Sequence, residues 1–247
     1  MPNTELFGFR QRVVQAWLAI TVVAASCGAN AMVVAVDVGH SLAKPGSTSA
    51  SGKPEFGYNR ALARDVIGQL NGGGVGIKTR AIGLKGEMDV LTARSDAAKG
   101  ADLLLSIHHD SVQPQYLPTA DHFIGYGVFA SRKNPFPDTS LKCSMAIADR
   151  IQAIGRTPSL HHAEPIKGEN RPLADARRGV YWFDDLIVLK TATQPAVLVE
   201  AAIIVNPAED SMISDAGNRK VVASAIAAGV AQCLLGGTPG AGPSIQK

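Results

Sequence analysis

The apolar positions of this chain follow two rhythms. Short runs of β-branched and aliphatic residues, VVAVDV at 33–38, LLLSI at 103–107 and AVLV at 196–199, read as strands buried on both faces. Residues 58–70, YNRALARDVIGQL, instead place Ala61, Leu62, Val66, Ile67 and Leu70 at helical spacing, and NGGG stops the helix. Residues 75–79 and 125–130 read as further strands, 90–99 as a short helix closed by Gly100, and 141–154 as an amphipathic helix closed by Gly155. Residues 179–189 read as helix, and 209–235 as mostly helix, broken at Gly217 and interrupted near Gly229. The polar stretches 41–54, 80–89 and 157–178 read as loop. Strands alternating with helices predict α/β architecture: a single domain with a twisted, mostly parallel sheet and helices on both faces. No internal repeat interrupts this pattern.

The start of the chain belongs to neither rhythm. Arg10 and Arg12 precede an almost wholly apolar run over 13–25, and Ala29-Asn30-Ala31 matches an A-x-A cleavage pattern. Residues 1–31 therefore read as a signal peptide, 32–235 as the folded domain and 236–247 as a flexible C-terminal tail. The apolar run is too short for a comfortable membrane span, so no stable span is expected after cleavage. Lipid attachment at Cys27 is disfavoured, because Ala24-Ala25-Ser26 lacks the usual large aliphatic residue. Export is expected, to the periplasm ahead of full secretion. An oxidising compartment would permit a bridge between Cys143 and Cys233, but the favoured reading is two separate buried apolar side chains.

Composition narrows the partners. Apolar residues make up 46% of the 247, and aromatics only 5%, so the core is aliphatic. The net charge is +3, with no dense Lys/Arg block and no basic-aromatic interleaving, which argues against nucleic acid. A mild positive bias suits an anionic polymer or simple solubility.

Three strand runs end in reactive side chains. The first runs through Gly39 into His40, the second into His108, and the third into Glu200, while Glu55 stands at a helix start. Adjacent parallel strands would bring these ends to one edge of the sheet, where open α/β sheets bind ligands. Two imidazoles and a carboxylate, with a fourth position left to water, suit a catalytic zinc ion. A second carboxylate outside the metal set would act as general base and then acid. The residues alone leave the alternative open. His40 and His108 would then be strand-end hydrogen bonders, and the glutamates surface or helix-dipole groups.

The blocks VVAVDVGH, PEFGYNRALARDVIGQL, ARSDAAKGADLLLSIHHDS and PAVLVEAAIIVNPAED resemble, in order, those of the zinc-dependent N-acetylmuramoyl-L-alanine amidases of the Amidase_3 family. The resemblance runs from about residue 33 to 235. It implies Zn2+ as cofactor, with His40, Glu55 and His108 as ligands and Glu200 as the catalytic carboxylate. It also implies peptidoglycan as substrate, cut between N-acetylmuramic acid and L-alanine, and in some members a protein activator. Competing classes are a non-catalytic peptidoglycan-binding module of the same fold and an exported zinc peptidase. Ser41-Leu42-Ala43-Lys44 departs from the family's Gly-rich continuation, and Ala202-Ile203 stands where a Gly-Phe pair is usual. His109 is expected behind the ligands or facing substrate, and Arg177 and Arg178 either as a receiver of a stem-peptide carboxylate or, equally, as a surface charge pair. Asp37 is expected to be structural or to orient a ligand histidine from behind. The segment 157–178, with His161, His162, Glu164 and Glu169, is expected to form a cleft wall rather than the plugging helix that some members carry.

Overall fold

The strand β1, Met32–Val38, is flanked on both sides by parallel neighbours and becomes fully buried from its third residue onward. The computed structural model describes residues 31–73 and 76–236. The expected signal peptide and almost all of the expected tail lie outside the described residues. In chain order the elements are β1, α1 (Glu55–Gly72), β2 (Ile77–Ile82), α2 (Leu91–Ala97), β3 (Leu103–Asp110), β4 (Gly127–Ala130), α3 (Pro137–Ala153), β5 (Leu173–Asp175), β6 (Val180–Trp182), α4 (Ile187–Lys190), β7 (Ala196–Ile203), α5 (Pro207–Ser214) and α6 (Ala216–Leu235). The strands form one sheet in the order β2-β1-β3-β7-β4-β6-β5. The four strands β2, β1, β3 and β7 run parallel; β4 is antiparallel to β7 and parallel to β6, and β5 is antiparallel to β6.

Strand alternation sorts side chains to two unequal faces. Val34, Val36, Leu103, Leu105, Val197 and Val199 share one core with residues of α1, α3, α5 and α6. Ala35, Leu104 and Leu198 face the other side, in a smaller core with Val188 and Leu189 of α4 and Ala98 at the end of α2. By the same alternation Asp37, Ser106, His108, Asp110 and Glu200 belong to the thinly covered face. Among these, His108, Asp110 and Glu200 line a cleft on that face.

Four expectations change. Residues 179–189 are not one helix, because Val180, Tyr181 and Trp182 pair with Val128, Phe129 and Ala130 and so form β6. Aromatic and β-branched side chains suit that pleated, half-covered surface. Gly229 does not interrupt α6. A Cβ there would lie 2.4 Å from the Ile147 Cα, so the missing side chain lets α6 lie close against α3. That approach also corrects the cysteine reading: Cys143 of α3 and Cys233 of α6 form a disulfide, with Cα atoms 5.0 Å apart. Finally, β7 continues past Glu200 to Ile203, and β3 past His108 to Asp110, so these two residues lie within strands rather than beyond their ends.

Candidate metal centre and catalytic cleft

The centre starts from a turn that few side chains would accept. β1 ends at Val38, and the Gly39 N–H then donates to the Ile107 carbonyl (3.0 Å), which keeps the chain against β3. A Cβ on Gly39 would sit 2.3 Å from the His108 ring, so glycine is required by that ring rather than by its own backbone angle. The left-handed residue is His40 itself, at φ 66°. A non-glycine residue there costs of order 1–2 kcal/mol and needs support. Arg94, only 2% exposed, supplies it: its guanidinium donates to the His40, Val38 and Met88 carbonyls. Asp37 holds Arg94 in turn (2.7 Å) and accepts from the Ser106 hydroxyl (2.7 Å). Asp37 thus orients His40 through an arginine and the backbone, touching no imidazole.

Glu55 is the first residue of α1. Pro54 before it offers no side-chain cap, and the first N–H groups of the helix are met by the loop: Glu55 N–H donates to the Ser47 carbonyl and Phe56 N–H to that of Pro45, both at 2.9 Å. The loop 41–54 therefore folds over the helix start and closes on the carboxylate. Ser47 donates from its N–H (3.2 Å) and its hydroxyl (3.1 Å) to Oε2, and Asn59 and the His109 N–H donate to Oε1. Gly46, at φ 80°, leaves room that a Cβ would fill, 2.6 Å from Glu55 Oε2.

His40 Nε2 lies 3.0 Å from Glu55 Oε2, and His108 Nδ1 lies 3.2 Å from Glu55 Oε1. One ligand atom from each of the three residues lies within 4.8 Å of the other two. Burial alone would raise the Glu55 carboxyl, but the His108 and His40 imidazoles hold it well below the ordinary carboxylate range. The set offers one carboxylate and two imidazole nitrogens, and His40 and His108 line a cleft. That combination of donors suits a divalent cation of borderline softness such as zinc.

Glu200 stands beside His108 in the parallel register of β3 and β7. It lines a cleft of about 340 Å³ together with His40, His108, Asp110, His162 and Arg171. Its Oε2 is buried and has no hydrogen-bond partner. Burial first, and then the Asp110 and Glu55 carboxylates, push its carboxyl well above the ordinary range. A carboxyl so placed binds a proton more firmly than an ordinary glutamate.

The other expected site residues lie elsewhere. His109 is buried under α1 with its Nδ1 2.8 Å from Asn59 Oδ1; burial lowers its pKa to about 3, so it stays neutral. It is not among the residues that line the cleft. Arg178 is bound to Asp149 (2.7 Å) and Asp175 (2.6 Å), and Arg177 is exposed; neither lines the cleft. The arginine that does is Arg171. The segment 157–178 supplies cleft wall through His162, Glu169 and Arg171, with a short turn of 3-10 helix at His161–Ala163 and no α-helix among its residues. Sequence reasoning passed over Asp110. The signal available was its place two residues after His108, on the same face of a strand.

Comparison with known proteins identifies the family and the fold. The family model for N-acetylmuramoyl-L-alanine amidase, Amidase_3, matches residues 34–232, most of the chain and every residue of the centre. The chain belongs to the Amidase_3 family. Among its relatives are the N-acetylmuramoyl-L-alanine amidases AmiC of Neisseria meningitidis, 25% identical over 80% of this chain, and AmiA of Escherichia coli, 26% identical over 80%. This Amidase_3 chain spans about half the length of AmiC (51%) and 74% of AmiA. The fold matches Ami1 of Mycobacterium smegmatis, with TM-score 0.68 at 21% identity over 83% of this chain and 98% of that one. It also matches the amidase of Clostridium difficile 630, with TM-score 0.66 at 20% identity over 84% of this chain and 97% of that one.

Proposed function

We propose that this chain hydrolyses the amide joining the lactyl group of N-acetylmuramic acid to the L-alanine of the peptidoglycan stem. The observation that carries the proposal is the convergence of His40, Glu55 and His108 around one point, with Glu200 on the neighbouring strand, in a chain of the amidase family. His40, Glu55 and His108 would hold Zn2+. When bound, zinc supplies Lewis acidity toward the scissile carbonyl and the attacking water.

The protein's own part is proton transfer and positioning. Glu200 takes the proton of the attacking water and returns it to the leaving amine, a nitrogen that departs poorly unless protonated. Its raised pKa favours holding that proton between the two transfers. Asn59 and Ser47 keep the Glu55 carboxylate fixed, and Arg94 keeps the His40 turn in its left-handed form. Phe129, Phe183 and Leu198 give the cleft an apolar side for the stem peptide. This mechanism invokes no activator.

Export is part of the proposal. A signal peptide over residues 1–31 would place the chain in the periplasm, and the Cys143–Cys233 disulfide supports an oxidising compartment. No described helix is long and apolar enough to cross a membrane. Digestion of purified sacculi, with mass analysis of what is released, tests the activity. Stem peptides with a free L-alanine amine are expected. Intact sacculi would leave a binding module, and cleavage between stem residues would indicate a peptidase.

A further inference from the structure

A second set of ligating side chains lies at the cleft wall: Asp110 and His162 line the cleft, and the His161 ring is buried against that of His162. Asp110, His161 and His162 offer one ligand atom each, all within 4.8 Å of one another. Asp110 Oδ2 lies 2.8 Å from His162 Nε2 and 3.4 Å from His161 Nε2. The two rings are 3.9 Å apart.

Both rings are anchored from behind. The Ser159 hydroxyl lies 2.8 Å from His161 Nδ1, and Glu169 Oε2 lies 2.7 Å from His162 Nδ1. Glu169 is itself held by Gln113 (2.6 Å) and Arg171. An imidazole fixed at one nitrogen by an oxygen, with the other nitrogen presented inward, is how proteins orient metal-ligating histidines. An ion pair between His162 and Asp110 would account for only one of the rings. The His161 side chain is 5% exposed, and its Nε2 is buried with no hydrogen-bond partner. Such a nitrogen left unmatched costs roughly 1–3 kcal/mol. A cation between the two Nε2 atoms and Asp110 Oδ2 would satisfy all three.

We infer that Asp110, His161 and His162 form a second divalent-cation site, suited to zinc or another imidazole-seeking ion, in the cleft wall beside the first centre. The inference goes beyond the amidase proposal and does not depend on it.

The test uses the full chain, stripped with a chelator, desalted and titrated with Co2+ alone. Bound metal is counted by elemental analysis and by cobalt visible absorption. Two equivalents per chain are expected. His161→Phe keeps a ring against Phe123 and His162 but removes the ligand nitrogen, and should bind one. His40→Ala should also bind one, and the double variant none. Circular dichroism melting confirms that each variant is folded. Should His161→Phe fail to fold, Asp110→Asn, which keeps the side-chain shape, is expected to bind one equivalent. A single equivalent in the unaltered chain, or two in a folded His161→Phe or Asp110→Asn, would overturn the inference. If His40→Ala binds two while His161→Phe binds one, the second site stands and the first assignment falls.

Discussion

The two histidine clusters of the cleft divide charge in opposite ways. In the first, one carboxylate, Glu55, is shared by two imidazoles. In the second, one imidazole, His162, is shared by the two carboxylates Asp110 and Glu169. The Glu55 carboxyl is accordingly held well below its ordinary range, although burial works against it. Burial would lower the pKa of His162, but Asp110 and Glu169 outweigh it and raise it to about 9. The first cluster thus keeps an ionised carboxylate between two imidazoles. The second is a protonated ion-pair network when no metal is present, and a cation must displace its proton.

The sharpest way to break this comparison is at Glu200, which stands between the Glu55 and Asp110 carboxylates in the electrostatics of the cleft. Glu200→Gln should lower hydrolysis of sacculi by about 10²–10⁴-fold while leaving the zinc content of the first centre unchanged. Equal loss of metal would show that Glu200 is a ligand rather than a proton carrier. Next in size is Arg94→Met. It strands the buried Asp37 charge and releases the His40 turn, so stability should fall by about 3–5 kcal/mol in denaturant unfolding, with weaker zinc binding. An unfolding curve like that of the unaltered chain would remove Arg94 from the account.

A change on the thick face serves as the control. Replacing Cys143 and Cys233 together by alanine opens a bridge spanning 90 positions and should cost about 2–5 kcal/mol. Metal stoichiometry should not move, since the bridge joins α3 to α6 and neither cysteine lines the cleft. The smallest effect is at His162. Its pKa in the fold, about 9, lies above the ordinary 6.5, so the folded state binds its proton more tightly. The stability it contributes to the metal-free protein is complete below pH 6.5 and is lost as pH rises toward 9, by about 2–3 kcal/mol. His162→Gln should flatten that slope in unfolding free energies measured in chelator; an unchanged slope would assign it to another group.

Much of the first cluster was legible because its signals are local. A β-branched run ending in Gly-His, a second ending in Ile-His and a third ending in Glu each declare a strand carrying a reactive side chain. Parallel pairing of β1, β3 and β7 then brings them together. The second cluster had no such signal. His161 and His162 sit in an irregular segment, and their meeting with Asp110 across about fifty positions depends on how that segment lies over the sheet. Residues 180–182 have helix-compatible neighbours but become a strand because β4 offers an unpaired edge. The cysteines read as separate until Gly229 shows how closely α3 and α6 approach. Arg177 and Arg178 stand just before a block that the family resemblance covers, but the pairing of Arg178 with Asp149 and Asp175 turns that side chain to another partner set. Gly39 shows the same limit within a legible motif. Its neighbour His40 takes the left-handed angle, and the glycine is there to clear a ring from another strand.

The central claim is that one ion is held jointly by β1's following turn, the start of α1 and β3. Anomalous diffraction at the zinc edge, from crystals of the zinc-loaded chain, tests it most directly. The account predicts a peak about 2.0–2.2 Å from His40 Nε2, a Glu55 carboxylate oxygen and His108 Nδ1. Zinc bound without contact to those three atoms would contradict it.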